Sequence, residues 1–401
     1  MMRTAFPRPD RRLRVPVAGA TGRVTATPVY SLLTVPPADV AARDGFAVVS
    51  TETSGAGDGT MVPLKNPFRV NTGNAIPPGY DAVVMIEDVA GEDGSWSTVK
   101  AVRPGGHIHP AGTEIRQGEM ILPAGHTLRP WDIGALLTYG ITELNVAALK
   151  VGLIPTGSEL VRPGERPGLG EVIESNTAVA AAWLTEAGAT CTRYEIVRDD
   201  PTLLREAVQK AVAENDLLLV SAGSSAGTRD FTAGIIGDLG EVLVHGIAMK
   251  PGKPAIVGRI DGKPVIGMPG YPIAAMTAVR ELALPLLAAW GFCTRPGECL
   301  RARLGGTVVA DPGFDEFVQV IVSRAGDRYT ATPLPPGAGT QMAVVRANAC
   351  LHVSAGTGTI PEGTDVEVLL TGPCPPVREP PANLNPTPEH RARAHPLQGG
   401  S

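Results

Sequence analysis

Asp216-Leu217-Leu218-Leu219-Val220-Ser221-Ala222-Gly223-Ser224-Ser225-Ala226-Gly227-Thr228-Arg229-Asp230 sets an unbroken apolar run directly against a loop of glycines, alanines and hydroxyls. A short apolar run bounded by turn residues reads as a strand buried on both faces, as in a parallel sheet. In the loop, small residues allow the backbone to approach a ligand, while Ser221, Ser224, Ser225, Thr228 and Arg229 supply donors. A neutral turn would not need so many.

The pattern extends on both sides. Upstream, residues 151–154 form a short apolar strand ending in Pro155-Thr156-Gly157-Ser158-Glu159, and Ser175 or Asn176 caps a helix that stops at Gly188. A strand through Ile196 and Val197 leads to Asp199-Asp200-Pro201, a capping acid with proline in the first helical turn. Leu203, Leu204, Ala207, Val208, Ala211 and Val212 then recur at helical spacing. Downstream, a strand over residues 241–249 reaches Lys250-Pro251-Gly252-Lys253-Pro254, and an Asp261-Gly262 hairpin returns to Gly267-Met268-Pro269-Gly270-Tyr271-Pro272, where a helix begins. The alternation β-α-β-α-β predicts a mostly parallel sheet with helices on both faces, and ligands in such sheets bind beyond the carboxyl ends of the strands. Taken singly, the serine loop reads as an ordinary loop, Lys253 as a surface lysine, and Glu159 or Asp230 as helix caps. Their fixed order at the strand ends of one sheet instead predicts a single cleft for a phosphate or other oxyanion.

At 401 residues the chain suits two to four domains. Residues 15–150 read as short strands between closely spaced glycines and prolines, with a helical pattern over 131–139 stopped by Gly140. Residues 299–371 read as a small β-barrel or sandwich. The basic residues 1–14 and the proline-rich residues after 372 show no face to bury and are expected to be disordered. A net charge of −5 excludes nucleic acid as the main partner. Residues 272–290 are apolar but interrupted by Arg280-Glu281, so a packed helix is expected and no membrane span. No apolar segment follows the arginines of residues 1–14, so no secretory signal is expected there. Five cysteines without a CxxC pair fit a reducing cytoplasm.

Asp44-Gly45-Phe46-Ala47-Val48, Thr72-Gly73 with Pro78-Gly79-Tyr80-Asp81-Ala82-Val83-Val84, residues 157–160, Ser175-Asn176, Asp199-Asp200-Pro201, residues 221–232, residues 250–254, and Met268-Pro269-Gly270 with Pro272 together resemble the molybdopterin molybdenumtransferases, including the corresponding domain of gephyrin. The resemblance covers residues 22–370. It implies a multidomain α/β plus β fold. Residues 15–30 and 119–148 would form a discontinuous linker or helical domain, 31–118 an inserted β-rich domain, 149–293 a molybdopterin-binding α/β domain, and 297–371 a C-terminal β-barrel. It also implies a homodimer, contacts with other molybdenum-cofactor biosynthesis proteins, and insertion of molybdate (or tungstate) into adenylylated molybdopterin with Mg²⁺, releasing AMP. Asp44, Glu159, Asp230 and Lys253 correspond to catalytic positions, and Asp44, Glu114, Glu159 and Asp230 to metal positions. Thr72, Ser221, Gly223, Ser224, Ser225, Gly227, Lys250, Pro251, Gly252, Pro254, Pro269 and Gly270 correspond to substrate-binding positions. The chain departs from the family at Tyr271, Ala222, Ser158 and Glu114, which marks a divergent member.

The chemistry agrees with that resemblance. Lysine ammonium groups, hydroxyls and backbone N–H groups can replace the hydration of a compact dianion. Carboxylates from several loops can hold Mg²⁺ against a pyrophosphate. Cationic and acidic groups are thus expected to have separate jobs. The alternative is a non-catalytic molybdopterin or molybdenum-cofactor binding protein, acting as carrier or sensor. The retained acids favour an enzyme, because a mere binder has less need of them beside a polyanion.

Overall fold

The computed structural model describes residues 5–92, 94–221, 231–292, 297–335 and 341–372. They fall into two units, one made of the described residues within 10–148 and 291–292, the other of those within 5–9, 149–290 and 297–372.

In the first unit the elements that matter are β1 (Arg12–Pro16), β2 (Gly45–Val48), β3 (Phe68–Val70), β4 (Ala82–Met85), α1 (Pro130–Thr138) and β5 (Glu143–Ala147). Antiparallel pairing of β1 with β5 places Arg12 opposite Ala147 and Pro16 opposite Glu143. Val17, Ala20, Leu128, Leu136, Leu144 and Val146 make the core beside this pair. Strand β2 lies between β3 and β4. Its alternation sends Phe46 and Val48 into one small cluster and Ala47 into another, as the two-residue period of a strand requires. Helix α1 starts with proline in its first turn and ends before Gly140, whose φ is +90°.

The second unit carries β6 (Lys150–Pro155), α2 (Asn176–Glu186), β7 (Thr190–Arg193), α3 (Pro201–Glu214), β8 (Leu217–Ser221), α4 (Phe231–Leu239), β9 (Glu241–His245), β10 (Met249–Lys250), β11 (Ile256–Ile260), β12 (Lys263–Met268) and α5 (Pro272–Ala278). Six strands form one sheet in the order β7-β6-β8-β12-β11-β9. Strands β7, β6, β8 and β12 run parallel, and β11 and β9 complete the sheet antiparallel. Leu204, Val208, Ala211 and Val212 of α3 pack with Ile154, Leu218 and Val220 of the sheet, the stripe expected from their spacing. Asp200 caps α3 by accepting the N–H groups of Thr202 (2.8 Å) and Leu203 (3.1 Å). Asp261 and Gly262, both at positive φ, close the β11–β12 hairpin.

From α5 the helix continues through a π turn at Val279–Ala283 into Leu284–Ala289. This apolar stretch is long enough to cross a membrane, but half of it is buried inside the protein, so it is built as a core helix.

β13 (Cys299–Leu304), β14 (Asp315–Ala325), β15 (Arg328–Pro333), β16 (Ala349–Val353) and β17 (Asp365–Leu370) close on themselves. The pairs β14–β15, β15–β13, β13–β17, β17–β16 and β16–β14 leave no edge, so the C-terminal region is a closed small barrel. Strand β10 adds in parallel to β14, with Met249 opposite Asp315 and Lys250 opposite Glu316.

The chain start differs from the disordered tail expected for residues 1–14. Phe6 is buried, its carbonyl accepts the indole N–H of Trp290 at 3.1 Å, and Arg12 to Arg14 lie in β1. One buried aromatic and a free strand edge order a segment that composition alone presents as a solvated tail. Among the described residues the linker region holds short strands, a 3-10 turn at Val17–Gly19 and the helix α1. Residues 373–401 lie outside the described residues.

Candidate functional site

Three adjacent parallel strands end in register. Pro155 of β6 is paired with Ser221 of β8, and Ser221 with Met268 of β12. The turns that follow these strands therefore leave from one edge of the sheet. Because β11 runs antiparallel to β12, with Ile256 opposite Gly267, the turn carrying residues 250–255 enters the sheet at that same edge. Register alone thus collects the turn 156–159, Ser221, the lysine turn and Pro269-Gly270-Tyr271 at the carboxyl ends of the strands, where α/β sheets bind ligands. Gly223, Ser224, Ser225, Gly227 and Asp230 lie outside the described residues.

Ser221 is buried at the end of β8, and its carbonyl accepts the N–H of Thr156 at 2.9 Å. Gly157 sits at φ +148°, and a Cβ there would come within 2.8 Å of Glu159 Oε2. The turn favours glycine because of this backbone conformation, while the Glu159 carboxylate is the mobile end of a side chain that could give way. Ser158 donates its N–H to Asp199 Oδ2 (3.1 Å) and accepts the Asp199 N–H on its hydroxyl (3.0 Å). These reciprocal bonds tie the turn to the segment before α3.

The lysine turn is already engaged. It holds a cis Lys250–Pro251 peptide, Gly252 is buried, and Lys253 and Pro254 are exposed. Lys250 Nζ lies 2.6 Å from Asp311 Oδ2 and 4.2 Å above the Phe314 ring centroid, and Lys253 Nζ is 5.5 Å from the same centroid. The Lys250 ammonium, with help from the Gly313 N–H, holds the Asp311 carboxyl below the usual carboxylate range. The barrel thus brings an acid onto the lysine turn.

On the next turn, Asn176 Nδ2 donates to the carbonyl of Gly270 at 2.8 Å and so fixes Pro269-Gly270, while the buried Asn176 Oδ1 has no hydrogen-bond partner among the described residues. Ser175 precedes α2 but makes no side-chain cap. The buried Glu174 takes the N–H and hydroxyl of Thr177, both at 2.8 Å, and is itself paired with Arg193 at 2.9 Å. Sequence reading missed Glu174, Asn176 as the holder of Gly270, and Asp311. Only Asn176 had a signal, its place in the Ser175-Asn176 motif.

The acids of the other unit are held separately. Asp44 Oδ1 accepts the N–H of Thr72 at 2.6 Å and its hydroxyl at 3.0 Å; the backbone bond is the main cause of a lowered Asp44 carboxyl pKa. Glu114 accepts the Tyr139 hydroxyl at 2.6 Å, which pushes that phenol up. Among the described residues no group of three His, Cys, Asp or Glu side chains is placed to hold a metal ion. Asp44 and Glu114 belong to one unit and Glu159 to the other, and Asp230 lies outside the described residues.

Comparison with known proteins places this geometry. Residues 1–140 match the MoeA N-terminal region (domains I and II), 152–289 a probable molybdopterin binding domain, and 301–371 the MoeA C-terminal region (domain IV). The chain is 31% identical to the molybdopterin molybdenumtransferase of Haemophilus influenzae, over 67% of this chain and 70% of that protein. It is 28% identical to molybdopterin molybdenumtransferase 2 of Mycobacterium tuberculosis, over 89% of this chain and 95% of the relative. A molybdopterin biosynthesis MoeA protein from Pyrococcus horikosii superposes with a TM-score of 0.79 at 32% identity, over 92% of this chain and 96% of that one.

Proposed function

Because this chain belongs to the MoeA family of molybdopterin biosynthesis proteins, we propose that it is a molybdopterin molybdenumtransferase, inserting molybdate or tungstate into adenylylated molybdopterin and releasing AMP. The observation that carries this reading is the register that gathers Ser221, the Gly157–Glu159 turn, the lysine turn and Pro269-Gly270 at one edge of a parallel sheet. A tetrahedral dianion there exchanges its hydration for ammonium and backbone N–H donors, and the exposed Lys253 supplies compensating charge. The Gly-rich turns allow the phosphate of the pterin to approach the backbone. Mg²⁺ belongs to this reading, with Asp44, Glu114, Glu159 and Asp230 as the acids that the resemblance assigns to it. A homodimer in the cytoplasm, exchanging pterin with other cofactor-synthesis proteins, completes the reading.

The test is release of AMP from adenylylated molybdopterin with Mg²⁺, with and without molybdate or tungstate. Oxyanion-dependent AMP release that is lost in Asp230→Asn is the expected result. Lys253→Ala should weaken oxyanion binding by about tenfold or more while the thermal melt is unchanged, as befits loss of a charge-assisted contact. Tight pterin binding without AMP release would instead assign a carrier or sensor.

A further inference from the structure

The contact between the barrel and the lysine turn has a geometry that bears on oxyanion binding, if Lys250 and Lys253 hold the oxyanion as proposed above. Asp311 is not a loose surface acid that happens to reach Lys250. Its Oδ1 accepts the Gly313 N–H at 2.9 Å, and its own N–H donates to Glu316 Oε1 at 2.8 Å. Glu316 in turn faces Lys250 across the β10–β14 pair and lies 3.9 Å from its Nζ. The turn of residues 311–316 is thus pinned to β14, and it presents Asp311 Oδ2 to the Lys250 ammonium at 2.6 Å. The Phe314 ring flanks the same ammonium, its centroid 4.2 Å away. A carboxylate oxygen therefore stands where an oxygen of a bound tetrahedral anion would make its contact.

We propose that Asp311 is a built-in competitor for the oxyanion: an incoming molybdate or tungstate must displace Asp311 from Lys250, so this acid sets the affinity of the lysine turn and demands a dianion. A divalent anion gains more from two neighbouring lysines than a single carboxylate does, whereas an abundant monovalent anion has no such advantage. Since Lys250 and Asp311 are both partly exposed, the pair is easily exchanged rather than locked.

The test is calorimetric titration of the full-length protein with sodium tungstate at low ionic strength, comparing wild type with Asp311→Asn, Lys250→Ala and Lys253→Ala. Asp311→Asn keeps an amide oxygen for the Gly313 N–H and replaces the carboxylate oxygen that faces Lys250 by an uncharged NH2 group. Asp311→Ala serves as a second variant, and the melting temperature of each reports folding. The expected result is tungstate binding tighter by about fivefold in Asp311→Asn, the upper range for a solvent-accessible ion pair. Unchanged or weaker binding in both Asp311 variants, with binding lost in Lys250→Ala, would overturn the competitor role and leave the lysine site standing. Wild-type affinity in both lysine variants would overturn the proposal together with the oxyanion site on which it rests.

Discussion

Strand β8 is buried at every position from Leu217 to Ser221, whereas β3 in the other unit buries only Val70 of its three residues. The difference follows from what covers each strand. A central parallel strand has helices on both faces, so every side chain contributes to one continuous core. The strands of residues 10–148 are short, and their apolar side chains divide among separate small clusters. Polar ties make up the deficit there. Asp81 accepts the N–H of Ser50 (2.6 Å) and its hydroxyl (2.7 Å), and Asp132 binds both His126 and Arg129. Loss of volume should therefore damage the α/β unit most, and loss of charge the other unit.

Leu219→Ala should give the largest effect. The side chain is fully buried, so the substitution should cost about 4 kcal/mol and lower the urea midpoint of the α/β unit. A cost below about 1 kcal/mol would remove the claim that this core resists collapse around a cavity.

Asp132→Asn should come next, at about 2 kcal/mol, because it sets an amide NH2 at a buried position that now accepts from His126 and Arg129. Its pH dependence gives the sign. The Arg129 guanidinium first, then His126 and the Arg129 N–H, hold the Asp132 carboxyl far below its unfolded value. The stabilisation is therefore complete above an unfolded pKa of about 4 and drains away as pH falls toward the depressed folded value. Hydrogen exchange of residues 126–138 should loosen below about pH 4 in the wild type, and the Asn variant should show a flatter acid response. An identical response would reassign the acid sensitivity to other carboxylates.

Asp200→Ala should be the smallest, at about 1 kcal/mol, read as a drop in melting temperature of the α/β unit. It sharpens the contrast because here a polar tie is dispensable, the α3 face beneath it being anchored by Leu204 and Val208.

What was legible in the sequence shares one property. The apolar run of β8, the Asp200 cap, the Asp261-Gly262 hairpin and the Gly140 stop are each decided by residues a few positions apart. Gly45 shows where such reading thins out. It reads as a turn glycine before a strand, yet a Cβ there would lie 1.9 Å from the carbonyl of Val84, so the requirement is close approach of β4. Glu174 was missed as the cap of α2 because the adjacent Ser175 is the better capping residue by type. The burial that keeps Glu174 in place comes from Arg193 on the neighbouring strand.

For the candidate site, the order of the motifs along the chain determined that Ser221, the lysine turn and Pro269-Gly270 belong to the ends of strands in one α/β sheet, because hydrophobic period and turn chemistry are local properties of the chain. Only the tertiary structure decided that Gly270 is held by Asn176, 94 residues away, and that Lys250 is met by Asp311, 61 residues away. Such pairings depend on strand register and on the closing of a barrel, and no local preference of either partner encodes them.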